Sequence, residues 1–130
     1  MTGGAIAGAG SGGYIPDETD GVRAMTSFQD REKGFEAQYQ HDQELRFKVT
    51  ARRNRLLGLW AARRLGLDDA AAEAYAKELV MVDFQKPGDQ DVVDKLLADF
   101  AAKGVPATPA VVRAELEKLQ DLAKQQMMKA

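Results

Sequence analysis

The side chains best suited to chemistry in this chain are its one histidine and the carboxylates beside it. His41 and Asp42 are adjacent and Glu44 follows closely, so a base–acid pair for proton transfer is conceivable. A catalytic site also needs a nucleophile or a stabilising group held against that pair. The chain has no cysteine, and no serine follows Ser27. We therefore predict a surface or packing role for His41 and a protein that is not an enzyme.

Composition argues against several other kinds of site. A single histidine and no cysteine leave no multi-histidine or thiolate metal site, so we expect no metal. The run Gly8–Gly13 matches the dinucleotide-binding spacing, but Tyr14–Pro16 follows it where a helix should begin, so we expect no cofactor. A net charge of −2 does not indicate a nucleic-acid binder. No apolar run approaches the roughly 20 residues of a membrane span, so we expect no direct membrane insertion.

Seven basic residues crowd one predicted helix, with no acidic residue among them. They are Arg46, Lys48, Arg52, Arg53, Arg55, Arg63 and Arg64. Three interpretations stay open: pairing with acidic helices of the same fold, docking on an acidic partner protein, or binding to nucleic acid. The segment 68–121 is rich in Asp and Glu, which favours pairing within the fold. A helical adaptor that binds an acidic protein through Arg46–Arg64 is the alternative function.

Three aromatic residues form a single stripe on the preceding helical segment. Phe28, Phe35 and Tyr39 are separated by seven and four residues, which places them on one face of a helix. The charged residues around them are Arg31, Glu32, Lys33 and Glu36. Such a stripe suits a segment that folds on a partner and lays its apolar face into a groove. It suits equally a helix that docks on the protein's own bundle, and the pattern alone does not choose.

The elements that must position these residues are helices. Residues 1–24 are rich in glycine and acidic residues, and we predict a disordered leader there. Met25 is a plausible initiator, so an appended sequence or a mis-assigned start is one interpretation of the leader, and a native leader is the other. From a cap at Thr26 or Ser27, a long helical stretch runs to about Leu65, with room for a break near Gln40–Asp42.

Glycine, proline and capping residues divide the remainder of the chain. They predict helices over Asp69–Gln85, from Pro87-Gly88-Asp89 to about Lys103, and from Thr108-Pro109 onward. Short connections between such helices imply a compact bundle. We predict an all-α fold: a leader over 1–24, a mobile N-terminal arm over 25–41 and a four-helix bundle over 42–130. The apolar run that contains Trp60 is expected in its core.

Several stretches of the chain resemble the zeta subunit of the alpha-proteobacterial F-type ATP synthase, a family of ATPase inhibitors. The likeness is dense through residue 84 and looser after it. Gln29 stands where that family typically has an acidic residue, and Gly34 where it typically has alanine. The matching stretches are Met25–Glu36, His41–Lys48, Ala51–Ala62, Glu73–Glu78 and Asp83-Phe84.

The resemblance implies a function that the spacing alone does not show. It implies a four-helix protein whose N-terminal arm folds into the interface of the catalytic α and β subunits beside γ. There the arm blocks rotation in the direction of ATP hydrolysis, and the bundle packs outside the catalytic head. The free protein is then expected to be a monomer, cytoplasmic and peripheral at the inner membrane through the synthase. The arm residues that this implies as partner contacts are Phe28, Arg31, Glu32, Lys33, Phe35, Glu36 and Tyr39.

Overall fold

The computed structural model describes residues 16–86 and 88–129, with side chains described from Gln29 onward. The regular structure of these ranges is α-helical, which confirms the predicted fold class. Within them, every helix lacks the length or the apolar character needed to span a bilayer. The helices are α1 Pro16–His41, α2 Gln43–Arg64, α3 Asp69–Gln85, α4 Asp89–Ala102 and α5 Pro109–Lys129.

The described ranges therefore hold five helices rather than four: α2–α5 lie in the predicted bundle range 42–130, and α1 precedes them. The difference arises at Asp42, which divides the long predicted stretch. Its backbone is extended, at φ −101° and ψ 103°, and its carboxylate accepts a hydrogen bond from the Leu45 amide at 3.1 Å. This N-cap starts α2 as a separate helix, because it satisfies an amide that has no partner within the helix.

The first helix begins earlier than the sequence predicts. Its start lies at Pro16 rather than at Thr26 or Ser27. Proline suits the first helical position because it lacks the amide that would lie unpaired there, and Asp17 suits the positive end of a helix dipole. Residues 1–15 of the predicted leader lie outside the described residues. Disorder of the leader, and its boundary at residue 24, stay predictions.

The chain divides into two compact units between His41 and Asp42. The described part of the first unit is α1. In the second unit α2 packs against α3 and α5, and α4 packs against the same two helices. The four helices α2–α5 thus enclose one core, as short connections between successive helices favour.

The core of the second unit is formed by the apolar stripes that helical spacing predicts. On α5, Val112, Leu116, Leu119 and Ala123 are all buried. Trp60, which belongs to the apolar run expected in the core, is half-buried and meets Phe100 edge-on, with ring centroids 6.0 Å apart. The other central members are Leu57, Ala61, Leu79, Val92, Val93 and Leu96.

Two local features fix how α2 and α3 meet. Gly66 ends the turn after α2 with φ +75°, a left-handed conformation that glycine adopts without strain. The carboxylate of Asp68 then caps α3 by accepting from the Ala71 amide at 2.8 Å. Within the pair, a Cβ at Gly58 would lie 2.7 Å from the Cα of Ala76. The two helices can approach this closely because Gly58 has no side chain.

Candidate functional site

The partner-contact residues predicted from the sequence all lie on α1. Arg31, Glu32 and Lys33 are exposed, and Phe35, Glu36 and Tyr39 are half-buried. The backbone of Phe28 belongs to the same helix, but its side chain lies outside the described ones. One turn of charged side chains therefore precedes the two described aromatic residues of the stripe.

The aromatic stripe is directly visible in its second half. The rings of Phe35 and Tyr39 stack with centroids 6.5 Å apart and an angle of 23° between their planes. A separation of four residues places two side chains on the same helix face, so this contact follows from the spacing. The fully buried residues among the described side chains all belong to the second unit. The described side chains of α1 thus contribute no member of the buried core.

His41 and Asp42, the conceivable acid–base pair, lie at helix ends, where each has a structural role. His41 is exposed in the last turn of α1, where a basic residue interacts favourably with the helix dipole. The carboxylate of Asp42 is engaged in capping α2. Among the described residues, no group of histidine, cysteine, aspartate and glutamate side chains is arranged to hold a metal ion.

The basic residues of α2 pair largely within the bundle. Arg55 donates to both carboxylate oxygens of Glu73 on α3, at 2.6 and 3.0 Å. Arg52 donates to Gln126 on α5 at 3.0 Å. Arg64 lies over the Trp60 ring, 4.8 Å from its centroid. These contacts support pairing within the fold, the interpretation that the acidic composition of 68–121 favours.

Arg53 lies at the centre of a buried polar cluster that the sequence analysis missed. Its side chain is only 5% exposed, and its guanidinium donates to Asn54, to Asp89 at 3.0 Å and to Gln120 at 3.3 Å. These contacts join α2 to the start of α4 and to α5. Asp89 is the first residue of α4, and its carboxylate pairs across the bundle with Arg53. The N-cap of α4 is Gly88, which makes no side-chain capping bond.

A second polar cluster joins α3 to α4. Asp99 accepts from the Tyr75 hydroxyl at 2.7 Å and from Lys95 at 3.0 Å. Burial, then the hydrogen bond and charge of Asp99, raise the pKa of the Tyr75 hydroxyl far above its usual range. Burial alone would lower the pKa of Lys95, but Asp99 together with Glu78 raises it overall. Both groups are thus held in their protonated forms.

An exposed aromatic pair on the bundle was also not predicted from the sequence. Phe47 of α2 is 52% exposed and Phe84 of α3 is 59% exposed, yet their ring centroids lie 5.4 Å apart. Neither residue belongs to the buried stripe of its helix. A large aromatic off the core stripe of a helix is the signal that marks such a position.

The model of the ATPase inhibitor subunit zeta family matches residues 25–126. The chain belongs to this family. The match begins within α1, includes every residue of the predicted arm, and extends through the bundle into α5. It therefore covers both the arm and the helices α2–α4 in full.

A solved structure is among those similar to this chain. It is described as a solution NMR structure of the protein, and it is 45% identical to this chain over 65% of this chain and 96% of its own. The TM-score is 0.58, so that structure and this one share a fold. A comparison with curated proteins finds no match.

Proposed function

We propose that this protein is a regulatory subunit that inhibits ATP hydrolysis by a bacterial F-type ATP synthase. The observation that carries the proposal is the family match over residues 25–126, because the family is that of the ATPase inhibitor subunit zeta. A member of an inhibitor family acts by binding the enzyme that it regulates. The expected partner is therefore the ATP synthase, and the protein associates with the membrane through it.

We further propose that the arm, about Thr26 to Gln40, makes the inhibitory contact. This arm enters the interface of the catalytic α and β subunits beside γ and blocks rotation in the hydrolysis direction. A helix lodged between two subunits opposes any step that changes the shape of their interface. Phe28, Phe35 and Tyr39 are the proposed apolar anchors.

The exposure and side-chain pattern of α1 support a role in partner contact. Its described side chains contribute nothing to the buried core, and Arg31, Glu32 and Lys33 are exposed. The aromatic stripe is continuous where it is described, since Phe35 and Tyr39 stack. Aromatic anchors flanked by charged residues are the usual composition of an interface, where the rings are buried and the charges set orientation.

The polar residues of the arm have a distinct proposed role. Arg31, Glu32, Lys33 and Glu36 carry both signs of charge within two helical turns. Charged groups at the edge of an interface contribute more to orientation and association rate than to affinity. We propose that they fix the direction in which the arm enters, while the aromatic rings supply most of the binding free energy.

The first test is a titration of ATP hydrolysis by the isolated catalytic head of the source organism's synthase. Two forms of the protein are compared, the full chain and a chain that starts at Met25. Inhibition by both forms is the expected result and makes the leader irrelevant to function. Inhibition by the shorter form alone would identify the leader as an obstacle to insertion. Inhibition by neither form would contradict the proposal.

The anchor residues are tested by Phe35→Ala. Removal of a buried aromatic anchor from an interface typically costs about 2 kcal/mol or more, so half-maximal inhibition should need about thirtyfold more protein. The bundle should unfold at an unchanged temperature, because no described side chain of the arm belongs to its core. The matched control is Ala37→Gln, an exposed position on the opposite side of the same helix. Equal inhibition by Phe35→Ala and the unaltered chain would exclude Phe35 as an anchor.

A further inference from the structure

The second unit carries a groove that the arm mechanism does not use. It is formed along the middle of α2, with Val80 of α3 on one side and Gln126 and Met127 of α5 on the other. The apolar part of its lining consists of Ala51, Leu56, Val80 and Met127. It is open to solvent and encloses about 680 Å³, enough to accept several side chains of a partner.

The charges of the groove have one sign. Its lining includes Lys48, Arg52 and Arg55 and no carboxylate. The whole chain has a net charge of −2, so these three cations are a local concentration of the opposite sign. Such a surface attracts an acidic partner and repels a basic one.

The contacts of these cations within the fold are compatible with a partner. Lys48 lies 3.8 Å from the exposed carboxylate of Glu44, and Arg55 pairs with Glu73 where both side chains are about half exposed. Exposed ion pairs contribute little to stability, so a partner carboxylate can join or replace them at small cost. The bond from Arg52 to Gln126 holds the α5 side of the groove against α2.

The exposed aromatic pair extends the same surface by one helical turn. Phe47 lies four residues before Ala51 on α2, and Phe84 lies four residues after Val80 on α3. Since residues four apart share a helix face, Phe47 continues the α2 floor of the groove and Phe84 continues its α3 wall. Exposed aromatic residues beside an apolar groove are typical anchors of a protein interface.

We infer that this surface, the groove together with Phe47 and Phe84, is a second docking site, which receives an acidic amphipathic helix of the synthase's catalytic head. The inference rests on the proposed function for the identity of that partner. Apolar side chains of the helix enter between Val80 and Met127, and its carboxylates meet Arg52 and Arg55. The bundle thereby anchors the protein to the head while the arm inhibits, so the two contacts contribute separately to affinity.

The experiment measures binding of the full chain and its variants to the immobilised catalytic head, with inhibition of hydrolysis measured in parallel. The groove variants are Arg52→Glu, which reverses a central charge, and Phe84→Ser, which removes an exposed ring. Each should raise the Kd about tenfold or more. Inhibition at saturating protein should stay complete, because the arm is unaltered. Arg52→Lys keeps the charge and should largely restore binding.

Matched controls lie on α5, away from the groove. Lys118→Glu reverses an exposed charge, and Val111→Ser removes an exposed apolar side chain. Neither should alter the Kd, and the unfolding temperature of each variant shows that the bundle is intact. Groove variants that bind like the unaltered chain, or controls that weaken binding equally, would overturn the inference.

The outcomes separate this inference from the proposed function. If the unaltered chain inhibits and Phe35→Ala inhibits only at much higher concentration, while both groove variants are neutral, the arm mechanism stands and the docking site is rejected. If the unaltered chain neither binds nor inhibits the head, both fail together. A loss of affinity in the groove variants, with complete inhibition at saturation, is the result that supports both.

Discussion

At the scale of single residues, Gly34 and Gly58 show how differently two helical glycines can act. Gly34 lies on α1 beside the aromatic pair, and a Cβ there would meet no atom within 4 Å. At Gly58 a Cβ would lie 2.7 Å from the Cα of Ala76, where α2 and α3 touch. Space around the residue, rather than helix propensity alone, therefore decides the effect of an added methyl group.

Gly34→Ala should strengthen inhibition. Alanine favours the helix over glycine by about 1 kcal/mol, because it loses less backbone entropy. If the arm becomes helical as it inserts, the variant should inhibit at about fivefold lower concentration. The measurement is the hydrolysis titration, together with the helix content of the free chain. Unchanged helix content together with unchanged potency would show that the arm is already helical before it binds.

Gly58→Ala provides the contrasting variant. The added methyl group must push α2 and α3 apart, since its nearest neighbour is backbone that cannot rotate away. Such overpacking typically costs about 1–3 kcal/mol, so the unfolding temperature should fall by about 4 °C or more. A stability equal to that of the unaltered chain would mean that the helix pair adjusts freely, and the close approach would then have no structural importance.

At the scale of elements, Asp42 is the residue that separates α1 from α2. Asp42→Ala removes the bond to the Leu45 amide and should lower the stability of the bundle by about 1 kcal/mol. Asp42→Asn is the matched control, because asparagine caps helices about as well as aspartate. Thermal unfolding distinguishes the two variants. If asparagine destabilises as much as alanine, the charge of Asp42 matters and its capping bond does not.

Sequence patterns predict the elements whose limits are set by local chemistry. The bounds of α3 follow from the cap at Asp68 and those of α5 from Thr108, whose hydroxyl accepts from the Val111 amide at 3.2 Å. The start of α1 and the burial of Arg53 were not predicted. The partners of Arg53 are Asp89 and Gln120, which lie 36 and 67 residues away in the sequence. No local pattern distinguishes that arginine from its exposed neighbours.

The two proposed partner surfaces also differ in whether local sequence patterns predict them. The aromatic stripe of the arm is a local feature, so the spacing of Phe35 and Tyr39 predicts their contact. The docking groove is formed by three helices, and its lining comes from distant parts of the chain. Phe47 and Phe84 become a pair only when α2 and α3 pack. Surfaces of this second kind need the tertiary structure before they can be recognised.

At the scale of the whole molecule, polar clusters tie α4 to its neighbours. Arg53 joins Asp89 at the start of α4 to α2 and α5, and Asp99 near its end joins Tyr75 of α3. Buried polar contacts of this kind specify one arrangement of helices, because any other leaves a buried group unpaired. The second cluster also makes the stability of the bundle depend on pH in a definite direction.

We expect the bundle to lose stability at alkaline pH. The pKa values of Tyr75 and Lys95 are raised above their ordinary 10.0 and 10.5, so the folded state holds both protons more tightly than the unfolded state. Their contribution is complete below about pH 10 and is lost as the pH rises through the raised values. The urea midpoint should therefore be flat between about pH 7 and 9 and fall above about pH 10.

The variant that tests this origin is Tyr75→Phe. It loses one hydrogen bond, so it should be about 1 kcal/mol less stable at pH 8. Its stability should also fall less steeply above about pH 10. The variant lacks the phenol whose proton the folded state holds and the unfolded state loses at that pH. Lys118→Met, which removes an exposed lysine elsewhere on α5, should keep the steep fall. An equally steep fall in Tyr75→Phe would assign the alkaline transition to other groups and reduce the Asp99 cluster to a packing contact.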